Sequence, residues 1–213
     1  MPHRILIVTA VQAEADAIGK PTGTRVVAGG IGRTNAAITT TSSILTDGPF
    51  AWIINAGVAG SLPQSGLSLG DVVVANRCVY AEEGLQTPSG FQDMGEMGFS
   101  LGNFVGNEVP VDPWLLEQLK QIGQTAPIAT VATCSGCEDQ ARVVRDRTGC
   151  VCEAMEGAAV VHAARRLNAK AIEIRTISNS TGDRDSQQWN LSLALDTLGE
   201  ALNEAIETLR STI

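Results

Sequence analysis

The sequence predicts an α/β fold: one domain over residues 1–213, built on a central mixed or mainly parallel β-sheet flanked by helices. Three observations predict it. Short β-branched apolar runs alternate with longer helix-like stretches along the chain, the rhythm of strands joined by helical crossovers. The 213 residues show no internal repeat, low-complexity run or linker, and one domain of this size is ordinary. With 44% apolar and 18% charged residues, the chain can bury a full core.

The elements follow in order. Residues 4–9 (RILIVT) are a β-branched apolar run that reads as a buried first strand. Residues 32–45 follow a glycine pair and read as a helix, although their threonines lower its propensity. Residues 52–55 (WIIN) form a second strand ending toward Gly57 and Gly60, and residues 71–75 (DVVVA) a third. Residues 81–110 are glycine-rich and weakly periodic, a long irregular excursion of the kind that is often functional. Pro113 suits the first turn of a helix over 113–122. A strand at 128–132, helices at 138–147 and 156–167, and a strand at 171–177 (AIEIRTI) come next. In the final helix, 186–209, Leu191, Leu195, Leu198, Leu202, Ile206 and Leu209 recur at spacings of three and four. They describe one face against the core.

Charge narrows the function classes. Asp and Glu number 23 against 15 Lys and Arg, a net charge of −8. Binding a phosphate backbone or an anionic membrane needs clustered cations, so nucleic-acid polymers and membrane surfaces are disfavoured as partners. A small-molecule pocket remains compatible with an acidic shell. No window approaches ~18 uninterrupted apolar residues, and the N-terminal stretch does not read as a signal peptide. Five cysteines, an odd number without a leader, favour reduced thiols and a cytoplasmic location.

Four segments could carry chemistry. Glu14 follows the first strand, where a carboxylate can reach a central pocket, or else serves as a helix first-turn acid. The clusters at 29–32 (GGIG) and 57–60 (GVAG) could hold a water or an anion on consecutive amides, or simply turn the chain. Neither is a Walker motif or a dinucleotide fingerprint. Met155 and Glu156 sit at a strand-to-helix junction. The carboxylate could accept from both hydroxyls of a vicinal diol and the thioether could pack under a sugar, or the pair could be a helix-start acid and a core methionine. Arg175 lies within an apolar strand, which is costly unless it is paired. Asn179 follows with one acceptor oxygen and two donor hydrogens, a match for a carbonyl beside a ring N–H, or a turn asparagine. Cys134, Cys137, Cys150 and Cys152 have poor spacing for zinc, so no metal is expected. His3 lies near a terminus, and His162 suits packing better than catalysis.

Taken in order, these segments resemble the purine nucleoside phosphorylase/nucleosidase superfamily. The run is Ala10 to Glu14, Gly30-Ile31-Gly32, Asn55 to Gly60, Gly70 to Val74, Met155-Glu156, and Arg175 with Ile177-Ser178. Within it the methylthioadenosine nucleosidase branch is similar. The futalosine hydrolases are more so, on Glu153 to Ala159, on Ile177-Ser178-Asn179 with Gly182 to Asp185 and Trp189, and on the excursion with Met97-Gly98-Phe99. The resemblance implies a three-layer nucleoside phosphorylase-like fold and hydrolysis of a purine nucleoside, futalosine, to hypoxanthine in menaquinone biosynthesis. It implies no cofactor, and a homodimer or larger homo-oligomer.

The resemblance also implies roles. Glu14 would be the general base for water, Glu156 the ribose ligand, Met155 the residue under the sugar, and Arg175 a polar group near the water. Gly57 and Val58 would lie against the substrate, and Arg184 is a candidate for the substrate's carboxylate. Phe91, Phe99 and Phe104 are candidates to stack on the base. Val58 stands where methylthioadenosine nucleosidases have a serine, which puts side-chain positioning of the water in question. Asn179 stands where they have an aspartate. An amide can donate to a 6-oxo group and accept from N7–H, and a mismatched buried polar pair costs ~1–3 kcal/mol, so the exchange favours a 6-oxopurine. Methylthioadenosine/adenosylhomocysteine nucleosidase, a phosphorylase and a non-catalytic binding protein are the alternatives.

Overall fold

The computed structural model describes residues 5–212. His3 and Arg4, the expected first residue of the first strand, lie outside them. The elements run β1 (Ile5–Thr9), α1 (Gln12–Ile18), β2 (Thr24–Ala28), α2 (Arg33–Asp47), β3 (Trp52–Ser61), β4 (Val72–Tyr80), β5 (Gly84–Thr87), β6 (Gly90–Asp93) and β7 (Glu108–Pro110). They continue with α3 (Pro113–Leu119), β8 (Gln124–Thr130), α4 (Glu138–Thr148), β9 (Cys152–Ala154), α5 (Gly157–Arg166), β10 (Ala171–Ser180) and α6 (Leu191–Ser211).

The mixed sheet is curled into a ring. β3 pairs in parallel with β10, and β10 pairs antiparallel with β4. β4 and β8 run parallel, as do β8 and β9, and β9 returns antiparallel to the far end of β3. β1 and then β2 extend the sheet from the first half of β3, and β7 lies along the far half of β4. All of β1 and all but the last residue of β10 are buried. That fits strands covered on both faces, whose sequences are near-continuous apolar runs.

The expected order of elements holds, with differences in extent. β3 and β10 run to ten residues each, well past 55 and 177. Gly57 and Gly60 therefore lie inside a strand rather than in a turn, and Asn179 lies on a strand beside a bulge at Ser178. Pairing with β10 along this whole stretch, and with β9 at Gly60, overrides glycine's poor strand propensity. The excursion at 81–110 contains the β5–β6 hairpin and β7. β2 is a half-exposed strand, and β9 has three residues, too few for a period to register. In α3, Asp112 Oδ1 accepts from the amides of Trp114 and Leu115, while Pro113 opens the helix as expected. α6 starts later than expected because Asn190 caps it through Leu193 N. Its inner face passes through Ala194, Leu198, Leu202, Ile206 and Leu209, leaving Leu191 exposed.

α6 packs on α1 through Gly199, where a Cβ would lie 2.5 Å from the Ala17 carbonyl oxygen. Helix propensity alone would make Gly199→Ala stabilising by up to ~1 kcal/mol. The contact reverses the sign, and a loss of about 1–3 kcal/mol in urea unfolding is expected. A more stable variant would show that the two helices can part freely.

Candidate active site

The site forms around Arg175. Its guanidinium is 1% exposed, and such burial is tolerable only with full pairing. Nε donates to Glu173 Oε1 at 2.8 Å, and Nη2 donates to Glu156 Oε2 at 3.2 Å and to Asn55 Oδ1 at 2.5 Å. Nη1 donates to the Val58 carbonyl at 3.3 Å. Burial works against its charge, but the carboxylates of Glu173, Glu156 and Glu14 outweigh burial and hold the guanidinium above its ordinary pKa. The register explains the spacing, since Arg175 stands beside Gly57 and Glu173 beside Asn55.

Glu14 is buried in the first turn of α1. The first-turn position and the reach into the centre are thus one arrangement. Its Oε2 turns back to accept from the amides of Ala10 (2.9 Å) and Val11 (3.1 Å). Its Oε1 accepts from Val58 N at 2.9 Å. A carboxylate offers about four lone-pair sites, so three amides leave one. Val58 contributes through its backbone, with N–H to Glu14 and C=O to Arg175, whatever its side chain. A Cβ on Gly57 would overlap both Glu14 Oε1 and Arg175 Nη1, so the missing side chain lets the two meet.

Glu156 stands at the start of α5, 4% exposed. Its Oε1 accepts from Gly32 N at 2.9 Å and its Oε2 from Met155 N at 3.3 Å. The glycine cluster at 29–32 thus places an amide on an anion that is the protein's own. Gly30 and Gly32 have φ of +102° and +93°, which side chains other than glycine adopt with strain. Met155 is half-buried and packs on Leu62, Val79 and their neighbours. Arg33, next to Gly32, is ion-paired with Glu82 and Glu83.

Asn179 lines a cavity of about 290 Å³ with Gly60, Ser135, Glu153, Arg184 and Trp189. Its Nδ2 donates to the Ser180 carbonyl at 2.9 Å and its Oδ1 accepts from Ser178 Oγ at 2.8 Å. The two contacts fix which way the amide faces. Arg184 lies over the Trp189 ring, 4.6 Å from its centroid, and donates to Gln187 Oε1. It is therefore at the Asn179 end of the site. The aromatic of this cavity is Trp189, not a phenylalanine of the excursion. Phe91 lies under Arg147, Phe104 meets His162 edge-on, and Phe99 is exposed. Cys134 and Cys137 are exposed, whereas Cys150 and Cys152 are buried.

Glu173 escaped the sequence reading, although its signal was present. It lies two residues before Arg175 in a strand, hence on the same face. It is fully buried, and its Oε2 has no hydrogen-bond partner. A Cβ on Gly157 would overlap its carboxylate. Burial raises its pKa above the ordinary value of 4.5 against the pull of Arg175. The folded state then holds this proton more tightly than the unfolded chain. Its contribution to stability is full below pH 4.5 and is lost as pH rises through the raised folded value. E173Q still offers an oxygen to Arg175 Nε but cannot ionise. Urea unfolding from pH 5 to 8 is expected to show the variant losing less stability with rising pH than the parent. Parallel curves would remove Glu173 as the source.

Comparison with known proteins matches this architecture. Residues 17–213 match the family model described as the phosphorylase superfamily. Futalosine hydrolase of Acidothermus cellulolyticus is 32% identical over 234 residues, covering 94% of this chain and 89% of that protein. Futalosine hydrolase of Streptomyces coelicolor is 28% identical over 232 residues, covering 97% of each. Among solved structures, native futalosine hydrolase of Helicobacter pylori superposes with a TM-score of 0.79 at 20% identity, over 97% of this chain and 98% of that one. That likeness concerns the fold. With the family model matched over residues 17–213, the chain belongs to the phosphorylase superfamily.

Proposed function

We propose that the chain is a nucleosidase, one domain over residues 1–213, that hydrolyses the N-glycosidic bond of futalosine and releases hypoxanthine. The observation that carries this reading is the pairing of two groups. Glu14 is a buried carboxylate with one lone-pair site left over from three backbone amides. Asn179 is an amide fixed in orientation at the cavity. The relatives named futalosine hydrolase support the substrate.

Glu14 takes a proton from water on the face of the sugar opposite the base. The C1′–N9 bond breaks with oxocarbenium character at C1′, and the water oxygen bonds to that carbon. Glu156 accepts from a ribose hydroxyl through the lone-pair site that Gly32, Met155 and Arg175 leave it, and orients the ring over Met155. Arg175 sets its charge between the two carboxylates and, with Gly57 and Val58, fixes their separation. Asn179 donates its second Nδ2 hydrogen to O6 and accepts from N7–H through the remaining Oδ1 lone pair. It stabilises charge on the leaving purine, and N7 takes its proton from solvent. No step calls for a metal or an organic cofactor. Arg184 meets the substrate's carboxylate from the rim of the cavity.

Water rather than phosphate is the acceptor in this reading. The Gly32 amide is committed to Glu156, and Arg33 beside it is neutralised by Glu82 and Glu83. Among the described residues no helix is long and apolar enough to cross a membrane, and a cytoplasmic homodimer or larger homo-oligomer fits the reading. The apolar side chains of Ile31 and Ile38 are exposed, the kind of surface a second copy covers.

Chromatography after incubation with futalosine, inosine and methylthioadenosine, with and without phosphate, tests the reaction. Phosphate-independent hypoxanthine release from futalosine is expected. Adenine release from methylthioadenosine with futalosine untouched would overturn it. E14Q is expected to lower turnover by about 10²- to 10⁴-fold with little change in substrate binding. A fully active variant would remove the base. N179D is expected to slow hypoxanthine release about tenfold to a hundredfold, the consequence of one mismatched buried polar pair. Unchanged rates would detach Asn179 from the base.

A further inference from the structure

The proposed reaction uses Glu14 and Glu156 and leaves the third acid around Arg175, Glu173, without a task. We propose that Glu173 is a positioning residue for that reaction: it anchors the Arg175 guanidinium by Nε and so aims its Nη1 edge at Glu14, the general base. The inference rests on the nucleosidase reading and extends it to a side chain that never meets the substrate.

The donor count carries the argument. A guanidinium has five N–H groups in one plane. In Arg175 the Nε hydrogen goes to Glu173 Oε1, the two Nη2 hydrogens to Asn55 and Glu156, and one Nη1 hydrogen to the Val58 carbonyl. Among the described residues the fifth, on Nη1, has no hydrogen-bond partner. It belongs to the nitrogen beside Glu14. Nη1 and Glu14 Oε1 border the same point, the place that a Cβ on Gly57 would take. The N–H of Nε and Nη2 share one edge of the fork, and Nη1 forms the other. Bonds at Nη2 alone would let the fork pivot about that nitrogen. A second fixed point at Nε removes the pivot, and the direction of the free Nη1 hydrogen is then set.

Glu173 is placed for this bond. It stands beside Asn55 in the β3–β10 register, as Arg175 stands beside Gly57, and residues 173 and 175 share a face of the strand. Asn55 is itself tied to the Val8 carbonyl through Nδ2 at 2.9 Å. Glu173 is 0% exposed. It lies against Gly157 at the start of α5, with the buried thiols of Cys78 on β4 and Cys152 on β9 near it. The charged groups that face it are Arg175 and Glu156. An acid buried among such neighbours is a poor source of stability, since desolvation offsets much of what pairing returns. What it supplies, and an apolar side chain of similar length would not, is the acceptor for Nε. Burial favours its protonated form. A neutral carboxyl still offers Oε1 to Nε and leaves the charge of Arg175 to Glu14 and Glu156.

The test compares the parent with E173N, E173M and E173Q, each checked for folding by thermal melting. Asparagine carries its oxygen one methylene short of Nε, methionine carries none, and glutamine restores the reach. With futalosine, E173N and E173M are expected to lose about tenfold to a hundredfold in kcat. KM changes little, because Glu156 keeps its bonds to Gly32 and Met155. E173Q is expected to recover most of the loss. The acid limb of kcat/KM reports the general base. Arg175 is the cation facing Glu14, whose hydrogen-bond donors are the amides of Ala10, Val11 and Val58. A carboxylate that loses a neighbouring cation holds its proton more tightly, so the limb moves to higher pH in E173N and E173M and returns in E173Q. A variant that is only less stable loses amplitude without moving the limb. Hydrogen exchange of the Arg175 Nε–H, followed by NMR without substrate, is expected to be slow in the parent and E173Q and fast in E173N.

A folded E173N or E173M with parental kcat and acid limb would overturn the proposal. So would an E173Q as slow as E173N, which would make the charge of Glu173 the requirement and not its bond. So would an Nε–H as protected in E173N as in the parent. That last result stands whether or not futalosine is cleaved. A parent that leaves futalosine intact, with Nε–H protection lost in E173N, would sink the proposed reaction and keep the anchor.

Discussion

One guanidinium organises the centre of this protein. Arg175 is buried on β10 and bonded to Glu173, Glu156, Asn55 and the Val58 carbonyl, with Glu14 across Gly57. The groups come from α1, β3, the start of α5 and β10. Each alone would be an unpaired charge or a buried polar atom, costly by several kcal/mol. Together they are compatible only with the helices and strands docked as they are. The same arrangement fixes the distance between the two acids that the proposed chemistry uses. The demands of folding and of positioning fall on one set of contacts.

Glycine is the complement of that cluster. Gly57 admits the approach of Glu14 to Arg175, Gly157 admits the Glu173 carboxylate, and Gly60 admits the Asn179 amide and the Thr181 methyl. Gly32 turns an amide onto Glu156. Their function is subtraction of volume and freedom of φ, neither of which a search for reactive side chains detects.

Much of the fold was legible because periodicity survives in the sequence. The apolar run of β1 and the spacing of three and four in α6 both reflect which faces are buried. The polar ends of β3 and β10 were illegible as strands because partners, not propensity, hold them extended. Among the site residues, Glu14, Glu156 and Arg175 stood out as charges beside buried runs, and the structure brings them together. Trp189 and Glu153 entered only as marks of the family resemblance, without a place in the site. Their place depends on a loop and a three-residue strand whose position is set by pairing with β3 and β8, information that is nonlocal in the chain.

The closing of the sheet into a ring has a consequence for the protein's behaviour in a crowded solution. A strand interrupted by glycines and ending in polar residues would, at the margin of an open sheet, be a frayed edge and a template for pairing with another chain. β10 instead has neighbours on both sides of its centre and β3 on both sides of its two ends, while Val58 in the middle of β3 is bonded to Glu14 and Arg175. Their backbone amides and carbonyls are spoken for, and the side chains that face the cavity are free to be chosen for chemistry rather than for guarding an edge. The exposed margins fall to β2 and β7, short strands that carry exposed charges such as Arg25 and Glu108. Protection of these strands from edge pairing with another chain and the freedom to build a polar site in mid-sheet thus have a common topological origin.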